Sequence, residues 1–226
     1  TETLGLSGNF TANLLLRKVG GGEIGDEWIG AERVTQMMQS LGLRNSFMAS
    51  PYDKEALPRT FSTPANIRTD VTTAPDQHMQ TTAKDVALLM EWIVQCSEGG
   101  GTLLAAFPDE LTGQECQQML DFIALNKKGI LLETGLPADA RMVHKHGFVE
   151  DSHGDVAAVW SPAGPYVVSL YIYKYGWVEW DLSSSIMADV SKAAWDYFTL
   201  RANGGEPPTV ARPPGAAPLA PELQEE

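Results

Sequence analysis

The sequence predicts an α+β fold: a mainly helical stretch to about residue 140, then a small antiparallel sheet covered by a C-terminal helix. Three observations carry this. Thr82-Ala83-Lys84-Asp85 and Thr112-Gly113-Gln114-Glu115 are capping-box patterns, each heading an apolar series at helical spacing. Between Met142 and Tyr173 the pattern changes to three β-rich runs, MVHKHGFVE, DVAAVWS and PYVVSLYIY, separated by the turn signals Asp151-Ser152-His153-Gly154 and Pro162-Ala163-Gly164. Helical spacing then returns over residues 182–201.

Taken in order, residues 11–19 form a short helix that stops at Gly20, Gly21 and Gly22, where backbone entropy disfavours continuation. A second helix spans residues 26–41, with Ile29, Val34, Met37, Met38 and Leu41 on its apolar side and Gly42 as its cap. Residues 44–80 lose periodicity and carry four prolines, which reads as a long Ω-like loop; loops of that length in compact domains tend to be functional. Val86, Leu89, Met90 and Ile93 follow the first capping box, and Met119, Phe122 and Ile123 the second. Cys96 and Cys116 fall near facing ends of these helices, either as one bridge or as two buried thiols. The three β runs form an antiparallel meander, and the last helix turns Ile186, Val190, Ala193, Ala194 and Tyr197 towards it. Residues 1–203 form one domain. Residues 204–226 hold six prolines and few large apolar residues, and are expected to be a disordered tail.

At 43% hydrophobic residues with six Trp, the chain can bury a sizeable core. A formal net charge of -13 argues against a nucleic-acid partner, since phosphate binding rests on clustered Lys and Arg; Lys127 and Lys128 read as a solvated helix end. No apolar run has the length of a membrane span, and TETLGLSGNF has no signal-peptide pattern. The strand PYVVSLYIY is apolar and uncharged until Lys174, so at a free sheet edge it would invite aggregation; a pairing partner for residues 165–173 is expected. The spacing His144-x-His146 with His153 and Asp155 raises a zinc reading, but no further ligand motif follows, so neither a metal nor another cofactor is expected.

Singly, Ser7-Gly8-Asn9 is a common turn or helix cap and Lys145 a common surface charge. Their order carries more. Ser7-Gly8-Asn9 followed by FTANLLLRKVGG, then TTAKDVALLMEWI, then GLPADARMVHKHGF with Lys145-His146-Gly147, resemble the Ser-Asp-Asn loop, the helix after the Ω-loop and the Lys-Thr-Gly strand of the penicillin-recognising serine enzymes, nearest the class A β-lactamase-like branch. The resemblance covers residues 1–200 and implies a β-lactamase/transpeptidase-like fold in an extracytoplasmic, secreted or periplasmic protein. It implies that Ser7 relays a proton to the leaving nitrogen while Lys145 holds the Ser7 hydroxyl and attracts a substrate carboxylate. Asn9 would bind the substrate's side-chain amide, His146 would donate to its carboxylate, and Gly147 would let the backbone approach it.

Four departures bear on activity. No serine is followed three residues later by lysine, so the family's Ser-x-x-Lys nucleophile is absent from these residues and is expected from a preceding segment or a separate chain. Gly8 replaces the motif's Asp and His146 its hydroxyl residue. The long loop lacks the Glu-x-x-Leu-Asn pattern of the deacylating base, Glu55 being the nearest acid. Two functions follow from the resemblance. One is a serine acyl-transfer enzyme acting on β-lactams, peptide-like substrates or related amides and esters once the nucleophile is supplied. The other is a degenerate, non-catalytic binding or scaffold domain.

Overall fold

Both threonines of the capping patterns start helices, but they do so differently. In the computed structural model, which describes residues 2–54, 61–70, 78–126 and 129–206, Thr112 heads α6 (Gly113–Ile123) with a complete box: its hydroxyl accepts from the Glu115 N–H and the Glu115 carboxylate accepts from the Thr112 N–H. Thr82 caps α4 (Ala83–Ser97), yet Asp85 does not reach back. Its buried carboxylate instead accepts from the Asn45 N–H and the Ser46 hydroxyl, each at 2.9 Å, fixing the start of the long loop on α4. The loop's ends are paired as β1 (Phe47–Met48) and β2 (Met79–Gln80). Ahead of it lie α1 (Glu2–Gly5), α2 (Asn9–Val19) and α3 (Glu27–Ser40), and α5 (Gly101–Ala106) follows α4. The α1 and α5 helices, of four and six residues, are too short to show a period in the sequence.

The expected meander forms as β3 (Arg141–Phe148), β4 (Ser152–Ser161) and β5 (Gly164–Tyr173), antiparallel in that order, with Lys145 opposite Val156 and Ala157 opposite Val168. Side chains alternate between two buried faces. Val143, Val156 and Ala158 pack on Met90 and Val94 of α4 and on Leu120 and Ile123 of α6. Met142, Ala157 and Val159 pack on Leu131 and Leu132 of the 3-10 turn Leu131–Gly135 and on Met187 of α7 (Trp180–Ala202). The sheet is thus the middle of three layers, and among the described residues the outer edge of β5 has no partner strand.

His153 and Gly154 lie within β4, not in the turn their composition suggested. The reversal sits at residues 149–151, closed by the Val149 N–H on the Ser152 carbonyl. A Cβ on Gly154 would lie 2.4 Å from the Tyr171 ring on the facing strand, so the glycine is there for packing. His153 is buried beside Trp180 and bonded to Ser183; that hydroxyl donates to the Trp180 carbonyl, so His153 Nδ1 must be the donor. Burial pushes the His153 pKa below its ordinary 6.5. The unfolded chain therefore binds this proton more readily, and stability present above pH ~6.5 is lost as pH falls below it. Urea unfolding at pH 7.5 and 5.5 should show this acid loss, and His153→Asn should reduce it; an equal loss in the variant would place the titration elsewhere.

Two helix faces differ from those the apolar pattern picked. On α3 the buried residues are Gly30, Ala31 and Thr35, while Ile29 and Met37 are exposed. A Cβ on Gly30 would stand 1.9 Å from the Leu16 carbonyl oxygen, so α2 and α3 meet backbone to backbone through small residues. On α7 the buried line is Ser183, Met187 and Ser191, joined by Ala194, Trp195 and Phe198, while Ile186, Val190 and Tyr197 face outwards. Again a small residue decides, since Gly135 lies where a Cβ would touch the Ala188 carbonyl oxygen at 2.1 Å.

Cys96 and Cys116 form a disulfide between α4 and α6, with Cα atoms 5.8 Å apart. Closing a loop of 20 residues stabilises by about 3 kcal/mol in the chain-entropy model. The double Cys→Ala variant is expected to lose roughly that in urea unfolding; a loss under about 1 kcal/mol would mean the helices hold without it. Glu55, Lys127, Lys128 and residues 207–226 of the expected tail lie outside the described residues.

Candidate functional site

Three residues separate α1 from α2, and the middle one, Ser7, has a left-handed backbone at φ +58°. A side chain rarely adopts this conformation, which costs of order 1 kcal/mol or more and recurs at functional sites. Gly8 is explained locally. Thr11 donates its hydroxyl to the Gly8 carbonyl at 2.9 Å, and a Cβ at position 8 would lie 2.8 Å from the Thr11 hydroxyl oxygen.

Strand alternation places Val143, Lys145 and Gly147 on the face towards the helical layer. From there the Lys145 ammonium donates to Ser7 Oγ at 2.7 Å and to the His146 carbonyl at 2.7 Å. Residues 138 positions apart are thus joined by one short bond. Because an ammonium only donates, Ser7 Oγ is the acceptor and its own proton can pass onward. Beside exposed Gly147, a Cβ would meet nothing within 4 Å, so no protein atom demands a glycine there; the open space lies along the strand that carries Lys145.

His146 points to the opposite face and is 5% exposed. The fully buried Asn126 amide donates to His146 Nδ1 and to the His144 carbonyl, which puts the His146 proton on Nε2. His144 shares this face, as its spacing predicts: Nδ1 donates to Asp155, and Nε2 lies 3.5 Å from the Glu133 carboxylate. Asp155 also accepts from the Leu132 N–H, so the histidine pair belongs to a network that ties β3 to the turn beneath it. The structure therefore joins Ser7 to Lys145, with Gly147 on the same face of β3 and Asn9 two residues after Ser7 at the start of α2, and places the His146 ring behind the strand.

One acid near Ser7 escapes sequence reading. Buried Asn13 holds Tyr52 by both backbone groups, at 2.8 and 2.9 Å, and Asn9 Nδ2 donates to the Asp53 carboxylate at 3.2 Å. Asp53 has φ +54°, and Lys54 next to it pairs with Glu27 at 3.0 Å, which holds the Glu27 carboxyl below its ordinary pKa. The carboxylate that meets the Ser7-Gly8-Asn9 segment is thus Asp53. The only trace of this in the sequence is the pair Asn9 and Asn13, one helical turn apart on α2.

Comparison with known proteins places these features in context. The family Beta-lactamase2, described as the Beta-lactamase enzyme family, matches residues 1–198. Among solved structures, PBP-A is 21% identical with a TM-score of 0.59, covering 87% of this chain and 58% of its own. A mutant of PBP-A solved as an acyl-enzyme complex with penicillin-G gives the same values. A β-lactamase from Burkholderia vietnamiensis is 18% identical at a TM-score of 0.60, covering 88% of this chain and 61% of its own. An ancestral class A β-lactamase is 23% identical at 0.58, covering 86% and 62%. Likeness at these identities speaks for the fold, and the chain spans about three-fifths of the length of each structure. No curated protein matches the chain in sequence.

Proposed function

The chain belongs to the β-lactamase enzyme family, and from that premise we propose that it forms one wall of the active site of a serine acyl-transfer enzyme acting on β-lactams or related amides and esters. The observation that carries this is the 2.7 Å bond from Lys145 to Ser7. The ammonium attracts a substrate carboxylate and holds the Ser7 hydroxyl as an acceptor, leaving the Ser7 proton for the nitrogen expelled when the acyl bond breaks. Asn9, with a second N–H beyond the one given to Asp53, binds the substrate's side-chain amide. Gly147 leaves the strand open to close approach, and His146, held by Asn126, positions the strand between them.

The attacking serine comes from a further polypeptide segment, in the same gene product or in another chain. Uncovered apolar surfaces support such a partner. The outer edge of β5 borders a groove lined by Leu88, Pro165 and Val167. The exposed line Leu182, Ile186, Val190 and Tyr197 runs along α7. A cleft of about 780 Å³ between the helical layer and the sheet is lined by Met38, Phe47, Met79, Val149 and Tyr171. An extracytoplasmic location accords with the Cys96–Cys116 disulfide. Gly8, His146 and the absence of a Glu-x-x-Leu-Asn pattern favour the second reading, a binding domain without chemistry.

The test is intact-mass analysis of the complete gene product after exposure to a fluorescent penicillin. Attack on the lactam carbonyl opens the ring without losing atoms, so the expected adduct carries the whole penicillin mass, and without a dedicated base it should persist. No adduct with penicillin or with a fluorophosphonate would establish the non-catalytic reading.

A further inference from the structure

We infer that Asp53 is a specificity-determining carboxylate that selects acyl donors bearing an amino group beside their side-chain amide. The inference rests on the proposed site, in which Asn9 binds that amide. Asn9 Nδ2 faces both Asp53 oxygens, at 3.2 and 3.3 Å, so a group one or two atoms beyond an amide held by Asn9 comes alongside the carboxylate. The carboxylate is held in place, because Asn13 fixes the backbone of Tyr52 immediately before it.

Among the described residues Asp53 has no cationic partner: the adjacent Lys54 is engaged by Glu27, and Arg17 bonds the same glutamate at 3.3 Å. An exposed anion fixed beside the amide-binding Asn9, without a counter-ion among the described residues, selects charge in what binds there. With Lys145 assigned to the substrate carboxylate and Asp53 beside the amide-binding Asn9, the proposed site is bipolar and matches a zwitterion, an ammonium at the side-chain end and a carboxylate at the other. A second carboxylate at the side-chain end is disfavoured by the same charge.

Ampicillin and benzylpenicillin differ only by an amino group next to the side-chain amide, which makes them the probes. Acylation rate constants for both are measured on the complete protein by competition with a fluorescent penicillin, for wild type and for Asp53→Asn, a substitution whose side-chain oxygen still accepts from Asn9. The ampicillin-to-benzylpenicillin ratio in wild type is expected to exceed that in the variant about threefold to fivefold at low salt, the size of one exposed ion pair. The difference should shrink at high ionic strength. Intrinsic reactivities cancel in this comparison. Equal ratios in the two proteins overturn the assignment of Asp53 while leaving the site intact. Failure of both penicillins to acylate wild type overturns the proposed site, and this inference with it.

Discussion

Replacing Lys145 by alanine is expected to slow acylation of the complete protein by a penicillin by on the order of 100-fold or more, the usual loss when one charged or donor group is removed from a site of developing charge. Lys145 donates to Ser7 Oγ and to the His146 carbonyl, so its removal frees the hydroxyl that is to pass a proton and strips the proposed site of its ammonium. The two contributions separate experimentally. A penicillin methyl ester has no carboxylate to attract, so its wild-type-to-variant ratio should be smaller than that of the free acid. Equal ratios would leave Lys145 only as the support of Ser7. The side chain is partly exposed, so thermal stability should change little, and a large drop in Tm would show that lost rate reflects lost fold.

Among single substitutions the largest effect on stability is expected from Asp85→Ala, about 2–4 kcal/mol in urea unfolding. Asp85 is buried, and its carboxylate takes the Asn45 N–H and the Ser46 hydroxyl. Alanine leaves the Asn45 N–H unpaired and the Ser46 hydroxyl with Thr81 alone, in a place water does not reach. The loss spreads further, since Asn45 accepts at its side chain from the Ala65 N–H and at its carbonyl from Gln80, which also reaches Thr63. Asp85→Asn, which keeps one acceptor oxygen, should cost less. A loss below about 1 kcal/mol for Asp85→Ala would mean that the loop supplies substitutes.

Much of the molecule is a direct consequence of local pattern. Thr82 and Thr112 start helices because a hydroxyl can satisfy an otherwise unpaired N–H wherever it stands. The three runs from Met142 to Tyr173 pair in sequence order because short connections favour antiparallel neighbours. Period-two alternation alone places Lys145 and Gly147 on one face of β3 and His144 and His146 on the other. Reading Lys145 with Ser7 depended on a family resemblance, but once the strand is accepted its side follows from counting.

What local pattern could not decide was which surfaces meet. The packed side of α7 is drawn by Ser183, Met187 and Ser191, and that of α3 by Gly30, Ala31 and Thr35, because close backbone approach outweighed the larger apolar side chains left facing outwards. His153 read as part of a turn until Trp180 and Ser183, some 30 residues later, gave it a buried partner. The bridge between Cys96 and Cys116 required the antiparallel approach of α4 and α6. Asp53 is the clearest case, brought to the Ser7 loop only because Asn13, 39 residues earlier, grips the backbone of Tyr52. Patterns among neighbours along the chain were enough for the longer helices, the three-stranded sheet and the face that Lys145 occupies. The tertiary structure alone decided which acid joins that face, since a hydrogen bond between distant residues exists only after the fold has placed them.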